Sequence, residues 1–328
     1  MIAIKEHTFF TVLGIVGALW ISNFVLKIFH FVWIHFLRRS SITRYRHNHH
    51  SSSASPWAIV TGSSDGIGRA YAYELANLGF NVVLHGRNSS KLHHVRHDLQ
   101  VEYPHLQFRI LVLDASFSGP QATKSMIDAV ETLKDLHITI LINNVGTGQK
   151  HDGPVLQSFT ETTSADVDLL MNINARFPLQ FTHAVLPLLL SHGGPALIIT
   201  MGSIAEIGMP FLATYASLKS VDLAFSRALR RDIRAQGRDN VEVIGMMTAG
   251  VTDVEWDRSP KDLSRPSSGE YAKKALEMVG SGEEVVAPWW SHALIWEAMK
   301  CLPTWIVDLA LANGTRRVIE RTELAKKI

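Results

Sequence analysis

The stretch "WAIVTGSSDGIGRAYAYELANLGFNVVLHGRN" restricts this chain more than any other. It opens on an apolar run, Trp57 to Val60, of the kind a strand buried on both faces requires. A turn carrying Gly62, Gly66 and Gly68 follows. Ile67, Ala70, Tyr71, Leu75 and Leu78 then recur at helical spacing until Gly79, a helix-ending glycine. A second apolar run, Asn81 to Leu84, completes a strand–turn–helix–strand unit. Glycines in such a turn let backbone approach a pyrophosphate, and the helix N-terminus supplies N–H groups and a positive dipole end. The unit predicts a dinucleotide site at Gly62, Ser64, Asp65, Gly66, Ile67 and Gly68, with Asp65 bracing the backbone.

The end of the second run selects the nucleotide. An NAD site places a carboxylate there for the ribose 2′-hydroxyl, and an NADP site places a cation near the 2′-phosphate. His85, Gly86, Arg87 and Asn88 contain no carboxylate. The expected cofactor is therefore NADP(H), with Arg87 as the phosphate partner and Lys91 as a second cation.

Further apolar runs alternate with helical segments: Phe108 to Ser116, Ile138 to Gly146, Pro195 to Ser203 and Val241 to Gly250. This alternation predicts an α/β Rossmann fold, a doubly wound parallel sheet. Ligands gather beyond the carboxyl ends of such strands. Asp114, Asn143, Gly146, Ser203 and Thr252 fall at or just past those ends, and Asp114 is expected to contact adenine.

The N-terminus differs from the rest. Phe9 to Leu26 carries no charge, and apolar residues resume after Lys27 as far as Leu37. About 20 apolar residues span a bilayer core, so 1–39 is expected to be a retained membrane anchor. Arg38, Arg39, Arg44 and Arg46 follow it, against Lys5 and Glu6 before it, which predicts a body on the cytosolic side. The sequons at Asn88 and Asn313 would then stay unmodified. Residues 40–55 read as a serine-rich linker, and 56–290 as the catalytic domain. His47, His49 and His50 in the linker have no Cys or carboxylate beside them, so no metal site is expected there. Residues 291–328 are apolar but broken by Glu297, Lys300, Pro303 and Asp308. They suit an amphipathic, membrane-associated extension, a substrate-tunnel wall, or a core or dimer helix. The net charge of +2 gives no reason to expect a nucleic-acid partner, and the single Cys301 excludes an intramolecular disulfide.

"FLATYASLKSVDLAF" places Tyr215 and Lys219 four positions apart. Such residues share a face on any helix, so spacing alone separates no proton-transfer pair from an amphipathic edge.

Taken together, TGxxxGxG at Thr61 to Gly68, NNxG at Asn143 to Gly146, a serine at a strand end and YxxxK resemble the short-chain dehydrogenase/reductase superfamily over about residues 56–290. "TGSSDGIGRAYAYELA", "INNVG", "LPLLL", "LATYASLKS" and the late "CLPTWIVDLAL" are similar to one membrane-bound branch. That branch comprises the 17β-hydroxysteroid dehydrogenase type 12 and very-long-chain 3-oxoacyl-CoA reductases. The resemblance implies Tyr215 as general acid and Lys219 as the cation that favours its ionised form and holds the nicotinamide ribose. It implies Ser203 as a hydrogen-bond donor to the substrate oxygen, Asn174, rather than Asn172, as holder of a relay water, and Val251 and Thr252 at the nicotinamide. It further implies an endoplasmic-reticulum membrane enzyme facing the cytosol, a homodimer, a lipid ketone or acyl-CoA substrate, and other fatty-acid elongation enzymes as partners. Lys326 and Lys327 resemble a dilysine retrieval signal in imperfect register.

Three departures stand out. The interval from Ser203 to Tyr215 is one residue shorter than the family pattern. "MMTAGVT" lacks the proline usual after the late strand. "DVEWD" at Asp253 to Asp257 sets three carboxylates where an anionic acyl-CoA would arrive. A steroid or other lipid ketone reductase, and a silent membrane-tethered scaffold, are the competing readings.

Overall fold

The computed structural model describes residues 2–47, 55–148, 156–255 and 257–325. His49, His50, Trp256, Lys326 and Lys327 lie outside them, and with them much of the expected linker and the dilysine-like end. The chain divides into two compact units, Met1–Ser40 and Ser41–Ile328.

The first unit is a single helix, α1 (Ile2–Val32), continued by a π-helical turn at Trp33–Leu37. Phe9–Leu37 is 29 residues long with a mean hydropathy of 2.0, long and apolar enough to cross a membrane. The helix passes through Lys27 unbroken. A lysine costs no helical hydrogen bond, and its aliphatic stem lets the ammonium reach toward an interface. Leu19, Trp20, Phe24 and Leu26 project outward without protein cover, as lipid immersion requires.

In the second unit a 3₁₀ turn (Ile42–Tyr45) precedes a seven-stranded sheet. Its strands are β1 (Trp57–Val60), β2 (Asn81–Gly86), β3 (Phe108–Val112), β4 (Ile138–Asn143), β5 (Ala196–Met201), β6 (Val241–Met246) and β7 (Val285–Val286). They lie in the order β3-β2-β1-β4-β5-β6-β7, every neighbouring pair parallel. The intervening helices are α2 (Gly66–Asn77), α3 (Ser89–Glu102), α4 (Pro120–Glu131), α5 (Ser164–Met171), α6 (Phe177–Ser191), α7 (Ala213–Ala235) and α8 (Ser268–Glu277). Then come α9 (Trp290–Cys301) and α10 (Thr304–Ala325). Strands β1, β2, β4 and β5 are buried at every position, which is why they read as unbroken apolar runs. Ile59, Val83, Leu141, Ile198 and Val243 pack with Phe177, Phe181 and Val185 into one core cluster. Helices α2, α3 and α8 pack together, as do α4 with α6 and α5 with α7. The expected Rossmann fold is what the chain adopts, and β7, two residues long, is the strand that periodicity missed.

Buried contacts continue past both ends of the 56–290 span. The first residues of the supposed linker are anchored: Ile42 and Tyr45 are buried. Tyr45 Oη donates to Glu242 Oε2 at 2.6 Å, and Gly280 N–H donates to the other carboxylate oxygen at 2.7 Å. Burial, reinforced by the Glu242 charge, pushes the Tyr45 phenol well above its ordinary range, so it stays a donor. At the other end, α9 lies in the same unit, Ser41–Ile328. His292 is fully buried, with Nε2 bonded to Ser264 O at 2.9 Å and Ala249 N–H donating to Nδ1 at 3.3 Å.

Tyr45→Phe removes one buried donor and leaves a Glu242 oxygen short of a partner. It is expected to cost about 1–3 kcal/mol, read as a lower urea midpoint; an unchanged midpoint would mean that residues 41–47 add nothing to the fold.

Candidate active site

Strand order reverses between β1 and β4. Crossovers leave those two strands in opposite directions, so a crevice opens beyond their carboxyl ends. A cavity of about 830 Å³ occupies it. Gly62, Ser64, Asp65, Gly66, Ile67 and Gly68 line one part, and Arg87, Asp114, Gly146 and Val251 line more of it. Ser203, Tyr215 and Lys219 line the same space. Residues far apart in sequence thus share one cleft.

The glycine turn is held by the strand beside it. Gly62 and Gly66 have positive φ of 68° and 54°, a conformation that favours glycine. A Cβ on Gly68 would collide with Gly62 O. Thr61 Oγ1 accepts the N–H groups of Asn144 and Val145 at 2.9 and 3.0 Å, and Asn144 Nδ2 donates to Thr61 O at 2.9 Å. Asp65 caps α2, accepting from Gly66 N–H at 2.7 Å, and receives Arg258 at 2.8 Å. Its bracing role is thus visible, whereas Arg258 carried no motif signal.

Several expected contacts fall elsewhere. Asn143 does not line the cavity; it is buried, with Nδ2 donating to Thr182 Oγ1 at 2.7 Å. Alternation along the strand turns Asn144 to the cleft instead. Thr252 is buried outside the lining and bonded to Pro266 O through its N–H at 2.9 Å. Lys91 also lies outside the lining, 3.5 Å from Glu255. Asp114 lines the cavity while its Oδ1 accepts Ser116 N–H at 2.8 Å.

The three carboxylates of the 253–257 loop each have a cationic partner: Asp253 with Arg258 at 3.0 Å, Glu255 with Lys91 at 3.5 Å, and Asp257 with Arg265 at 3.3 Å. Arg258 and Arg265 are shared with Asp65 and Asp262, so the pairs reduce the loop's negative charge without cancelling it.

Asn174 is fully buried within a π-helical turn, Asn172–Arg176, that links α5 to α6. Its Nδ2 donates to Thr147 O at 2.9 Å and Leu170 O at 3.0 Å, and its Oδ1 accepts Thr147 N–H at 3.0 Å. Both amide protons are spent on protein, so the side chain braces the loop after β4 and has no donor left for a relay water. Asn172 instead donates to Ser116 O at 2.9 Å. Ser203 caps a short 3₁₀ turn, Ile204–Ile207. The short interval to Tyr215 is closed by left-handed backbone at Gly208 (φ 102°) and Phe211 (φ 61°). A bulky residue held there is backbone strain beside the site.

Lys219 is buried, and its Nζ donates to Met201 O at 2.8 Å and to Asp222 Oδ2 at 2.9 Å. Nζ lies 5.7 Å from the centre of the Tyr215 ring. Burial pulls the ammonium's pKa down, but Asp222, with Tyr215 adding to it, more than offsets this and holds Lys219 above its ordinary value. Asp222 is itself buried. It lies three residues after Lys219, on the same helical face, so the spacing held the signal. His85 also went unread. It is buried beside the glycine turn, lines the cavity, stacks on Phe177 with centroids 5.0 Å apart, and burial pushes its pKa down to about 4.

A family model described as short chain dehydrogenase matches residues 56–262. The chain belongs to that family. This dehydrogenase is 34% identical over 253 residues to the very-long-chain 3-oxoacyl-CoA reductase of Scheffersomyces stipitis, covering 73% of this chain and 70% of the relative. It is 32% identical over 307 residues to the enzyme of that name from Pyricularia oryzae, covering 92% and 85%. A very-long-chain 3-oxoacyl-CoA reductase-like protein of Arabidopsis thaliana is 34% identical over 266 residues, covering 80% and 82%. Among solved structures, a Sphingobium yanoikuyae short-chain dehydrogenase in complex with NADPH superposes with TM-score 0.62 at 23% identity, covering 81% of this chain and 95% of that one. The Comamonas testosteroni bulky-bulky ketone specific alcohol dehydrogenase gives 0.61 at 22%, covering 76% and 92%. These two likenesses bear on the fold. Membership of the family makes the protein an oxidoreductase that uses a nicotinamide dinucleotide.

Two expectations follow for this dehydrogenase. Asp222→Asn leaves Lys219 buried without its counter-charge, which lowers the lysine's pKa. Turnover should fall about 10- to 100-fold, and the alkaline limb of the pH–rate profile should move toward neutral; a drop in rate with an unmoved profile would reduce Asp222 to packing. The second concerns His85 and His292, whose pKa values burial lowers. The unfolded chain takes up protons below about pH 6.5 that the native state refuses. Stability is therefore full above that pH and declines as pH falls toward the folded value of about 4 for His85. His85 alone should cost about 2 kcal/mol between about pH 7.5 and pH 5. Urea midpoints would show this, and His85→Asn should flatten the trend.

Proposed function

We propose that this dehydrogenase is an NADPH-dependent ketone reductase that converts a 3-oxoacyl-CoA to the 3-hydroxyacyl-CoA during very-long-chain fatty-acid elongation. The carrying observation is that Ser203, Tyr215 and Lys219 line the same cavity as the glycine turn, with the buried Asp222 paired to Lys219. The substrate reading draws on the relatives named above.

The residues present fit a dinucleotide. The turn narrows to bare backbone at Gly68, where a Cβ would fill the approach, and α2 points its N-terminus into the cleft. Arg87, exposed at the end of β2 where no carboxylate stands, supports NADPH over NADH. When bound, the dinucleotide supplies hydride to the carbonyl carbon. Tyr215 Oη gives its proton to the carbonyl oxygen. Lys219, kept cationic by Asp222 and fixed by Met201 O, favours the phenolate left behind. Ser203 Oγ donates a hydrogen bond to the same oxygen and orients it. Asn174 keeps the loop after β4, and with it Gly146, against Lys219: a Cβ on Gly146 would come within 3.0 Å of Asn174 Oδ1 and 3.2 Å of Lys219 Nζ. The ion pairs of the 253–257 loop lower, without cancelling, the negative charge that an anionic thioester would meet at the entrance.

The apolar helix and the arginines that follow it support a place in the endoplasmic-reticulum membrane with the body facing the cytosol, among the other elongation enzymes. A substrate with a long acyl tail would gain from that tether.

NADPH oxidation by the detergent-solubilised full chain tests the reading, using 3-oxoacyl-CoAs of increasing length beside a panel of keto-steroids. Turnover should rise with acyl length, proceed more slowly with NADH, and fall about 10²- to 10⁴-fold in Tyr215→Phe. Turnover on steroids alone would replace the substrate, and none on either panel with NADPH bound would defeat the reading.

A further inference from the structure

Three imidazoles meet at the amino-end side of the sheet, away from the catalytic cleft. His47 follows the 3₁₀ turn, His137 immediately precedes β4, and His192 follows α6. Ring centres are 4.9 Å apart for His47–His137, 5.0 Å for His47–His192 and 4.6 Å for His137–His192. One nitrogen from each ring lies within 4.8 Å of the other two. All three rings are half-buried, and none takes part in the chemistry described above.

The hydrogen bonds assign the protons. His47 Nε2 lies 2.8 Å from Pro195 O, and His192 Nε2 lies 3.1 Å from Ile138 O. A carbonyl only accepts, so those nitrogens carry hydrogen and each Nδ1 keeps its lone pair. Metal-binding histidines usually hold their far N–H on a carbonyl or carboxylate in this way, which fixes both tautomer and ring. His137 Nε2 lies 3.0 Å from His47 O and 3.3 Å from His47 Nδ1, so without an ion it carries hydrogen and donates to both; an ion takes the place of that hydrogen, and His137 then carries its proton on Nδ1. With Zn–N bonds of about 2.0–2.1 Å, nitrogens of a tetrahedral site stand about 3.3 Å apart, so His47 Nδ1 and His137 Nε2 already have the spacing. His192 Nδ1 accepts Gly194 N–H at 3.0 Å, a local bond that a small ring rotation would exchange for a stronger ligand.

We propose that His47, His137 and His192 form a binding site for a divalent transition ion of the zinc type, with a solvent ligand in the fourth position. An all-imidazole set suits zinc, copper or nickel rather than magnesium or calcium. The ion joins residues 41–47 to the segments preceding β4 and β5, beside the Tyr45–Glu242 bond. It is a structural clasp, remote from the reacting atoms. His49 and His50, the sequence neighbours of His47, are the rival ligands, and so is the exposed run His93, His94 and His97.

The test is Zn(II) and Co(II) titration of the metal-stripped full chain in detergent, followed by calorimetry and by cobalt d–d absorption. One equivalent per chain is expected, at least tenfold weaker in each of His47→Gln, His137→Gln and His192→Gln. Cooperative thermal melting of each variant verifies folding, and any variant that fails it is replaced by the corresponding Asn. No stoichiometric binding overturns the site. So does binding that survives His137→Gln and His192→Gln, because the ion would then sit on the sequence neighbours of His47 or on α3.

Discussion

Thr61 Oγ1 holds the parting of the sheet together. It takes two N–H groups from the end of β4 while Asn144 returns a bond to Thr61 O. Strands β1 and β4 are parallel neighbours whose helices leave to opposite faces, so backbone groups just past their ends face each other across a gap. Left unpaired in a buried crevice, each would cost about 1–3 kcal/mol. The Thr61–Asn144 bonds satisfy them and hold the glycine turn at one height relative to Gly146. The cleft, the α2 N-terminus and the Lys219 pocket all take their positions from that seam.

A second constraint is electrostatic. An ammonium buried as deeply as Lys219 would lose its proton without a counter-charge. Asp222 supplies the counter-charge, and Met201 O takes a second ammonium hydrogen. The pair draws Lys219 away from bulk water yet keeps it charged beside the Tyr215 ring. At the entrance the loop carboxylates between residues 253 and 257 pair with Lys91, Arg258 and Arg265, two of which they share with Asp65 and Asp262.

Much of the fold was legible in the chain because physics writes it locally. Strands buried on both faces need continuous apolar runs, and the turn between β1 and α2 needs glycine where φ is positive or a Cβ would strike backbone. What failed was whatever depended on facing. Asn143 and Asn144 are adjacent, but one residue of strand reverses the side chain, so Asn143 reaches Thr182 while Asn144 reaches the glycine turn. The supposed linker looked polar, but Ile42 and Tyr45 within it found a buried surface.

The sequence by itself determined the class of fold, the dinucleotide turn, the apolar N-terminal helix and the Tyr215–Lys219 spacing, because each is a pattern within a few residues. Only the tertiary structure decided that Arg258 closes on Asp65, that α9 belongs to the catalytic unit, and that His47 meets His137 and His192. Most of those pairs join segments tens of residues apart, brought together only when the sheet closes. Periodicity reports which face of an element is apolar; it carries no information about which distant segment will cover that face.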